Sequence, residues 1–421
     1  MATTTSTTTA NQPLTTALTR ELAPGLLRSS IDERIVKIRP SMTPLDQISR
    51  MVGARKASSM RVDYYSVNTK DGSSTAKQAL RGLALTSGRA FNLSVDNSSI
   101  FSETETVLIP SVTIPEGTYK GQSLVAYVSA INDDTLSLIP VNIHDSAADL
   151  SVGTIDKGSQ IIRMGRAARE LDVQTAQFVA LPRKDYNYCQ IFKSQVEESL
   201  YQRLSEKEVG WNFSDQEEVA IMDMRMGMEK SFLFGARARV SLSDTADEVL
   251  FTGGIWNQTD KTFTYEIGST FTETNLAALN RAAFTGRSGS PRKVLLAGSG
   301  LIESLSAGNG AVLRYLGPHD KETIWGIDFS TIISKFGVLY VHHSEVFDLC
   351  GKENCGMIID PEYITKYSHV PFSAERISFR KQGVRNTEGV VLTEASCLVL
   401  RHPESHLRIV GVPKADTDGE E

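Results

Sequence analysis

Cysteine is scarce: Cys189, Cys350, Cys355 and Cys397 are the only four in a chain of 421 residues. That excludes a disulfide framework as the main source of stability, so the fold must rest on buried apolar surface. Long hydrophobic runs are missing too; none approaches the roughly 18–20 residues that span a bilayer. Residues 1–11 are Thr-rich, without a basic start or an apolar stretch, so no secretory signal is expected. The sequons at Asn92, Asn97, Asn212 and Asn257 then read as chance, and the chain as one made in a cytoplasm. An excess of positive charge is absent: the net charge of −6 argues against non-specific coating of nucleic acid. Neither a repeat period nor heptads are present, which disfavours solenoids and coiled-coil fibres.

Helical periodicity is absent as well between residues 61 and 188. Short alternating apolar runs there are punctuated by Gly72, Gly82, Gly88, Gly117, Gly121, Gly153, Gly158 and Gly165. Strands are expected at 61–67, 90–95, 105–110, 123–131, 136–142, 160–164 and 172–180. Leu124, Ala126, Val128 and Ala130 alternate as a half-buried strand should, and Asn132-Asp133-Asp134 fits a hairpin turn. Residues 76–85 read equally as a strand or a short helix. Charge divides sharply: residues 20–89 carry 13 Lys/Arg against 6 Asp/Glu, whereas 91–160 carry 2 against 9. Two solvated surfaces of opposite sign explain this; so does complementary charge between neighbouring copies.

Length sets an expectation of two to three domains, each able to bury a core. Residues 1–20 resemble a low-complexity tail. Ser30 and Glu33 form a capping-box pattern before Ile35, with Pro40 as the stop. Thr43 and Pro44 open a second short helix with Leu45, Ile48, Met51 and Val52 on its apolar stripe and Gly53 at its end. A short amphipathic helix is expected at 194–208. A long one follows, capped by Ser214 and Glu217 and running to 239, where Arg237 and Arg239 meet its negative end. Val219, Met222, Met226 and Leu233 trace its face. Beyond Gly253-Gly254 the pattern is mixed: helix 273–284, strand 293–297, helix 301–305, a hairpin of 325–333 with 337–342, and strand 356–360. The end is almost pure β, at 375–380, 389–400 and 407–412.

No constellation assembles a nucleophile, a base and an orienting group. A lone pair, Cys350 and Cys355, with His342 and His343 nearby, is a weak zinc signal. His402 and His406 are separated by Pro403, which argues against one helical face. Gly298-Ser299-Gly300 lacks the length of a phosphate-binding loop and the first glycine of a nucleophile elbow. Tyr186, Tyr188, Phe192 and Lys193 suit strand packing better than base stacking. No catalytic residue, cofactor or metal is expected.

The order of elements resembles the major capsid protein of tailed bacteriophages, with its Hong Kong 97-type α+β fold. The segments that carry the likeness are Thr43-Pro44-Leu45, Asn187 to Phe192, Glu229 to Gly235, Ile358-Ile359-Asp360 and the strand from His406 to Val412. The likeness covers residues 20 to 412 and is closest to a subgroup with an enlarged, β-rich extended loop. It implies an N-terminal arm (1–60), an extended loop (61–190) with an insertion at about 91–160, and an axial domain (266–375). The peripheral domain would comprise 191–265 and 376–412, with its spine helix at 215–239, and an acidic tail would close the chain at 413–421. It further implies self-assembly into pentamers and hexamers, packaged DNA contacted non-specifically, no membrane, and a virion assembled in the host cytoplasm. Residues 1–29 are too short for a built-in scaffolding segment, so a separate scaffolding protein is expected, with a portal and decoration proteins as further partners. Nothing identifies the Lys–Asn crosslinking chemistry of some members. Candidate inter-subunit contacts are Arg61, Lys70, Lys77, Arg81, Arg89, Arg163, Arg166 and Arg169, set against Asp133 and Asp134. An encapsulin-like nanocompartment and a tail-fibre or adhesin β-protein are the alternatives.

Overall fold

The computed structural model describes residues 43–67, 71–143, 150–168, 170, 182–205, 212–241, 248–268, 271–286, 289–306, 321–324 and 327–413. The helix expected near Ser30, the strand at 172–180, Lys70, Arg169 and the acidic tail past 413 lie outside them. The chain forms two compact units, one of residues 65–184 and one of 1–64 with 185–421. Helices and mixed sheets make the class α+β.

The smaller unit is all β. Its six-stranded sheet runs Ser73–Thr75, Gln160–Arg166, Glu105–Thr113, Ser123–Asn132, Thr135–Pro140, Phe91–Ser94, with every neighbouring pair antiparallel. Leu124, Ala126 and Val128 point inward as expected, with Val107, Ile109, Leu136 and Leu138 on neighbouring strands. Ala130 does not follow them: the register slips between Val128 and Ala130, and such a bulge rotates later side chains out of step. The turn is Asp133-Asp134, with Asp133 in the left-handed region at φ 48°. Residues 80–85 settle as a strand, paired with Leu150–Ile155.

The larger unit has two large sheets. A four-stranded sheet runs Ala54–Lys56, Ile364–Ser378, Thr387–Leu400, Gln190–Ser199. A seven-stranded mixed sheet runs Thr262–Glu266, Leu407–Val412, Cys355–Ile359, Arg292–Ala297, Val338–His343, Ile327–Ile333, Lys321–Ile324. Its central strand is buried on both faces, which explains the continuous apolar run of Val294 to Ala297. Val294 and Leu296 join the core that contains the long helix, while Leu295 and Ala297 pack with the helices Glu273–Phe284 and Ser299–Ser306. The strand Leu407–Val412 belongs to this sheet and not to the four-stranded one.

Two helical expectations change. Residues 190–199 form a strand, paired along its length with 387–396, and only Leu200–Leu204 is helical. The local spacing suited a helix, but burial of Phe192, Val196 and Glu198 on one strand face overrides it. The long helix runs Phe213–Phe234, not to 239. It starts where Asp215 accepts the Asn212 N–H at 2.9 Å, two residues before the expected Ser214 cap. It stops because Gly235 is wedged against backbone: an added Cβ would lie 2.5 Å from both Ser231 O and Thr252 O. Arg237 and Arg239 are therefore outside the helix; Ala238–Ser241 pairs as a ribbon with Glu248–Phe251. Its buried face carries Met224, Met226, Met228, Phe232 and Leu233, whereas Val219 is exposed.

Candidate functional site

In the smaller unit, most of the charge singled out in the sequence is matched inside the chain. Glu105 is fully buried and accepts from Arg163 Nε at 2.7 Å and Nη2 at 2.6 Å, from Arg166 Nε at 3.5 Å and from the Ser102 N–H at 3.0 Å. Burial pushes its pKa up, but the arginine bonds outweigh that and hold the carboxyl below its usual range. Lys77 reaches Asp134 at 2.5 Å on the surface. Arg81, Arg89 and Asp133 are exposed, and no ion pair joins them to other described residues.

In the larger unit, Arg61 bonds Asp63 at 2.8 Å and lies 4.2 Å over the Tyr186 ring; Arg237 lies 4.3 Å from the same ring. Arg237 also donates to Asp185 and to Tyr186 O. Burial raises the Asp185 pKa, but Arg237, the Tyr186 N–H and the Tyr64 hydroxyl pull it further down, below the usual carboxylate range.

The densest polar cluster was not foreseen. Thr43 makes no side-chain cap for the helix Pro44–Gly53. Glu229 of the long helix caps it instead: Leu45 N–H donates to Oε1 and Asp46 N–H to Oε2, each at 2.7 Å. Glu229 is wholly buried, which pushes its pKa up to about 8 against the pull of those two N–H bonds. Beside it, buried Lys366 bridges Asp46 at 2.6 Å and Glu394 at 2.8 Å. One signal was available: Glu229 is three residues after Met226 and four before Leu233, a lone acid on the apolar face. Its partners lie too far along the chain to be guessed.

A second buried cluster joins Lys293, Asp360 and His406. Lys293 Nζ donates to Ala283 O at 2.6 Å and Ser405 O at 2.5 Å; burial brings its pKa down to about 8. Asp360 accepts from Ser290 N–H at 2.8 Å and Glu362 N–H at 3.1 Å, and burial raises its pKa. His406 Nδ1 accepts the Asp360 N–H at 3.1 Å, and burial lowers its pKa to about 3. The left-handed Gly289 (φ 74°) makes room, because a Cβ there would sit 2.6 Å from Asp360 Oδ2. These groups bond inward to backbone, as structural ties do.

Among the described residues no group of three or more His, Cys, Asp or Glu could hold a metal ion. His343 bonds Asp348 at 2.8 Å and His342 bonds Asp328 O at 3.1 Å. The Gly298-Ser299-Gly300 turn packs against Glu353 and Asn354, and its Ser299 N–H donates to Asp348 Oδ1 at 2.8 Å. Buried Cys189 and Cys397 are free thiols with sulfurs 3.6 Å apart. A cavity of about 500 Å³ between the helix Glu273–Phe284 and residues 332–336 is lined mainly by apolar and neutral polar side chains, among them Leu276, Asn280, Ile332 and Phe336, with Lys335 as its one charged group. Among the described residues no helix is long and apolar enough to cross a membrane.

No curated protein matches the sequence. Among solved structures, one from Mycobacterium phage Bobi aligns with 94% of this chain and 99% of its own at 8% identity and a TM-score of 0.46. The holo-SrpI encapsulin complex of Synechococcus elongatus aligns with 58% of this chain and 81% of its own (10% identity, TM-score 0.37), and the Cyanophage Pam1 capsid with 60% and 83% (9%, 0.40). At such scores these likenesses add no weight. The family model of the SU10 major capsid protein, in contrast, matches residues 2–413, nearly the whole length: the chain belongs to the SU10 major capsid protein family and is a shell-forming subunit of a virion.

Proposed function

We propose that the subunit closes into pentamers and hexamers that together form an icosahedral shell around double-stranded DNA. The single observation that carries this is the family match across residues 2–413. In this reading the fold is of the Hong Kong 97 type. The long helix with the four-stranded sheet is the peripheral part, the seven-stranded sheet is the axial part, and residues 65–184 are the extended loop with its insertion. The unit of 65–184 then reaches across a neighbouring copy. Arg81, Arg89 and Asp133, exposed and unmatched among the described residues, remain the best of the charged candidates for contacts between copies. Lys77, Asp134, Arg163 and Arg166 are already engaged within the chain, so salt should affect assembly less than the charge split alone implies. Many modest contacts per subunit make a finished shell durable while letting misplaced copies leave. A separate scaffolding protein, a portal and decoration proteins complete the assembly, which takes place in the host cytoplasm, and the packaged DNA is touched without sequence preference.

Negative-stain electron microscopy of the expressed protein, alone and with the products of its neighbouring genes, tests the reading. Closed shells of uniform diameter are expected. An elongated trimer or a small monomer under every condition would contradict it.

A further inference from the structure

Two of the four cysteines meet although 208 residues separate them. Cys189 stands one step before the strand Gln190–Ser199, whose pairing begins at Gln190↔Ser396. Continuing that register sets it opposite Cys397, and the two sulfurs are 3.6 Å apart. The Cys189 N–H donates to Met60 O at 2.7 Å, not across the ladder to Cys397. Non-hydrogen-bonded pairs are the closer of the two cross-strand kinds, with Cα atoms about 4.5 Å apart, inside the span a disulfide bridges. Both residues are fully buried, in an apolar cluster with Ala57, Val62, Tyr64 and Val399. Packing alone asks for a small apolar side chain at each position; it does not ask for two sulfurs facing one another. The hydrogen bond with Cys397, and the His369 N–H, hold the Cys189 pKa below the ordinary thiol value against the effect of burial. That same bond and burial raise Cys397. Cys189 is therefore the sulfur that ionises first, and the thiolate is the reactive form.

We propose that Cys189 and Cys397 form a latent redox site that closes into a disulfide when a small peroxide reaches it. The Cys189 thiolate attacks one peroxide oxygen; the O–O bond breaks, leaving a sulfenic acid on Cys189 and releasing hydroxide. The Cys397 sulfur then attacks the Cys189 sulfur. The S–S bond forms, the S–O bond breaks, and the oxygen leaves as water with the Cys397 proton. Both sulfurs are oxidised, and the peroxide is reduced to two waters once the hydroxide takes up the proton that Cys189 lost. The timing rests on the shell-forming reading above: thiols stay reduced in a cytoplasm, and the bridge forms after a virion leaves it. Burial makes the step slow, because the oxidant enters only on local opening, and burial then shields the bridge from thiol reductants. The bridge fixes the point where the chain re-enters the larger unit, after residues 65–184, to an interior strand of the four-stranded sheet.

The first test exposes native wild-type subunit, purified under reducing conditions, to hydrogen peroxide. The peroxide is removed with catalase, and the chain is then unfolded with an alkylating reagent and mapped without reduction. A peptide joining Cys189 to Cys397, lighter by two hydrogen atoms than its reduced parts, should appear in most molecules, and dithiothreitol should abolish it. The thermal midpoint of the larger unit should rise by about 5–10 °C and return on reduction. Cys397→Ser removes the resolving sulfur, so Cys189 should stop at a sulfenic acid that dimedone captures. Two thiols still open to alkylation, or bridges only between different chains, overturn the proposal. If Cys397→Ser fails to fold, the wild-type peptide map decides. Assembled particles are the second test: Cys189 and Cys397 should be free when alkylated at lysis and bridged after peroxide treatment. Particles that stay reduced overturn the assignment of the bridge to the released virion. Should wild type form no particle at all, the shell-forming reading falls, and the subunit map still decides the chemistry.

Discussion

The two units use buried charge differently. In the smaller one, Glu105 meets Arg163 and Arg166 on an adjacent antiparallel strand, at separations of 58 and 61 residues. In the larger one, Glu229 meets Leu45 across 184 residues, and Lys366 meets Asp46 across 320. The first arrangement closes a sheet within a contiguous stretch of chain. The second ties the Pro44–Gly53 helix to segments that are made much later, so the larger unit is complete only when both ends of the chain have met. Long-range closure of this kind is slower and more costly in loop entropy. The contrast predicts that damage to one cluster leaves the other unit folded.

Lys366→Met should have the largest effect. It leaves buried Glu394 without a counter-ion and Asp46 with Arg50 alone, a loss of about 3–5 kcal/mol, measurable as a lowered urea midpoint of the larger unit's transition. Arg163→Met should cost less, about 1–3 kcal/mol, because Arg166 still faces Glu105; only the transition of the smaller unit should move. If either variant shifts both transitions equally, the two units are not separate. Next in size is an acid effect. His406 is held neutral in the fold, with its pKa lowered from 6.5 to about 3. The unfolded chain therefore binds the extra proton between those values, and stability falls as pH drops through that window, by about 1.4 kcal/mol per pH unit. His406→Asn, which keeps an acceptor for the Asp360 N–H, should flatten that slope in a melting series from pH 6.5 to 4.5. Lys77→Ala should be smallest: its pair with Asp134 is on the surface, and thermal melts should not resolve the loss.

How far the sequence was legible follows the same division. Strand alternation and turn residues near Leu124 and Asp133 are local, and they could be read directly. The helix Glu273–Phe284 and the buried run of Val294 to Ala297 could be read for the same reason. Residues 194–199 misled because their local spacing suits a helix, while their partners 387–392 lie nearly two hundred residues away. The end of the long helix was misplaced because Gly235 acts through a close approach to Thr252, a contact that periodicity cannot show. The charge split at residue 90 was visible. Its use was not, because pairing Lys77 to Asp134 inside one chain satisfies the same charges as pairing two copies. Glu229 stood out only as an acid on an apolar face.

One chain here carries two separately closed units. Hydrogen-exchange mass spectrometry of the unassembled subunit, with Lys366→Met compared against wild type, tests it most directly. Faster exchange in the helices and sheets of 44–64 and 185–413, with residues 71–166 unchanged, is the predicted result. Equal acceleration across both units would contradict it.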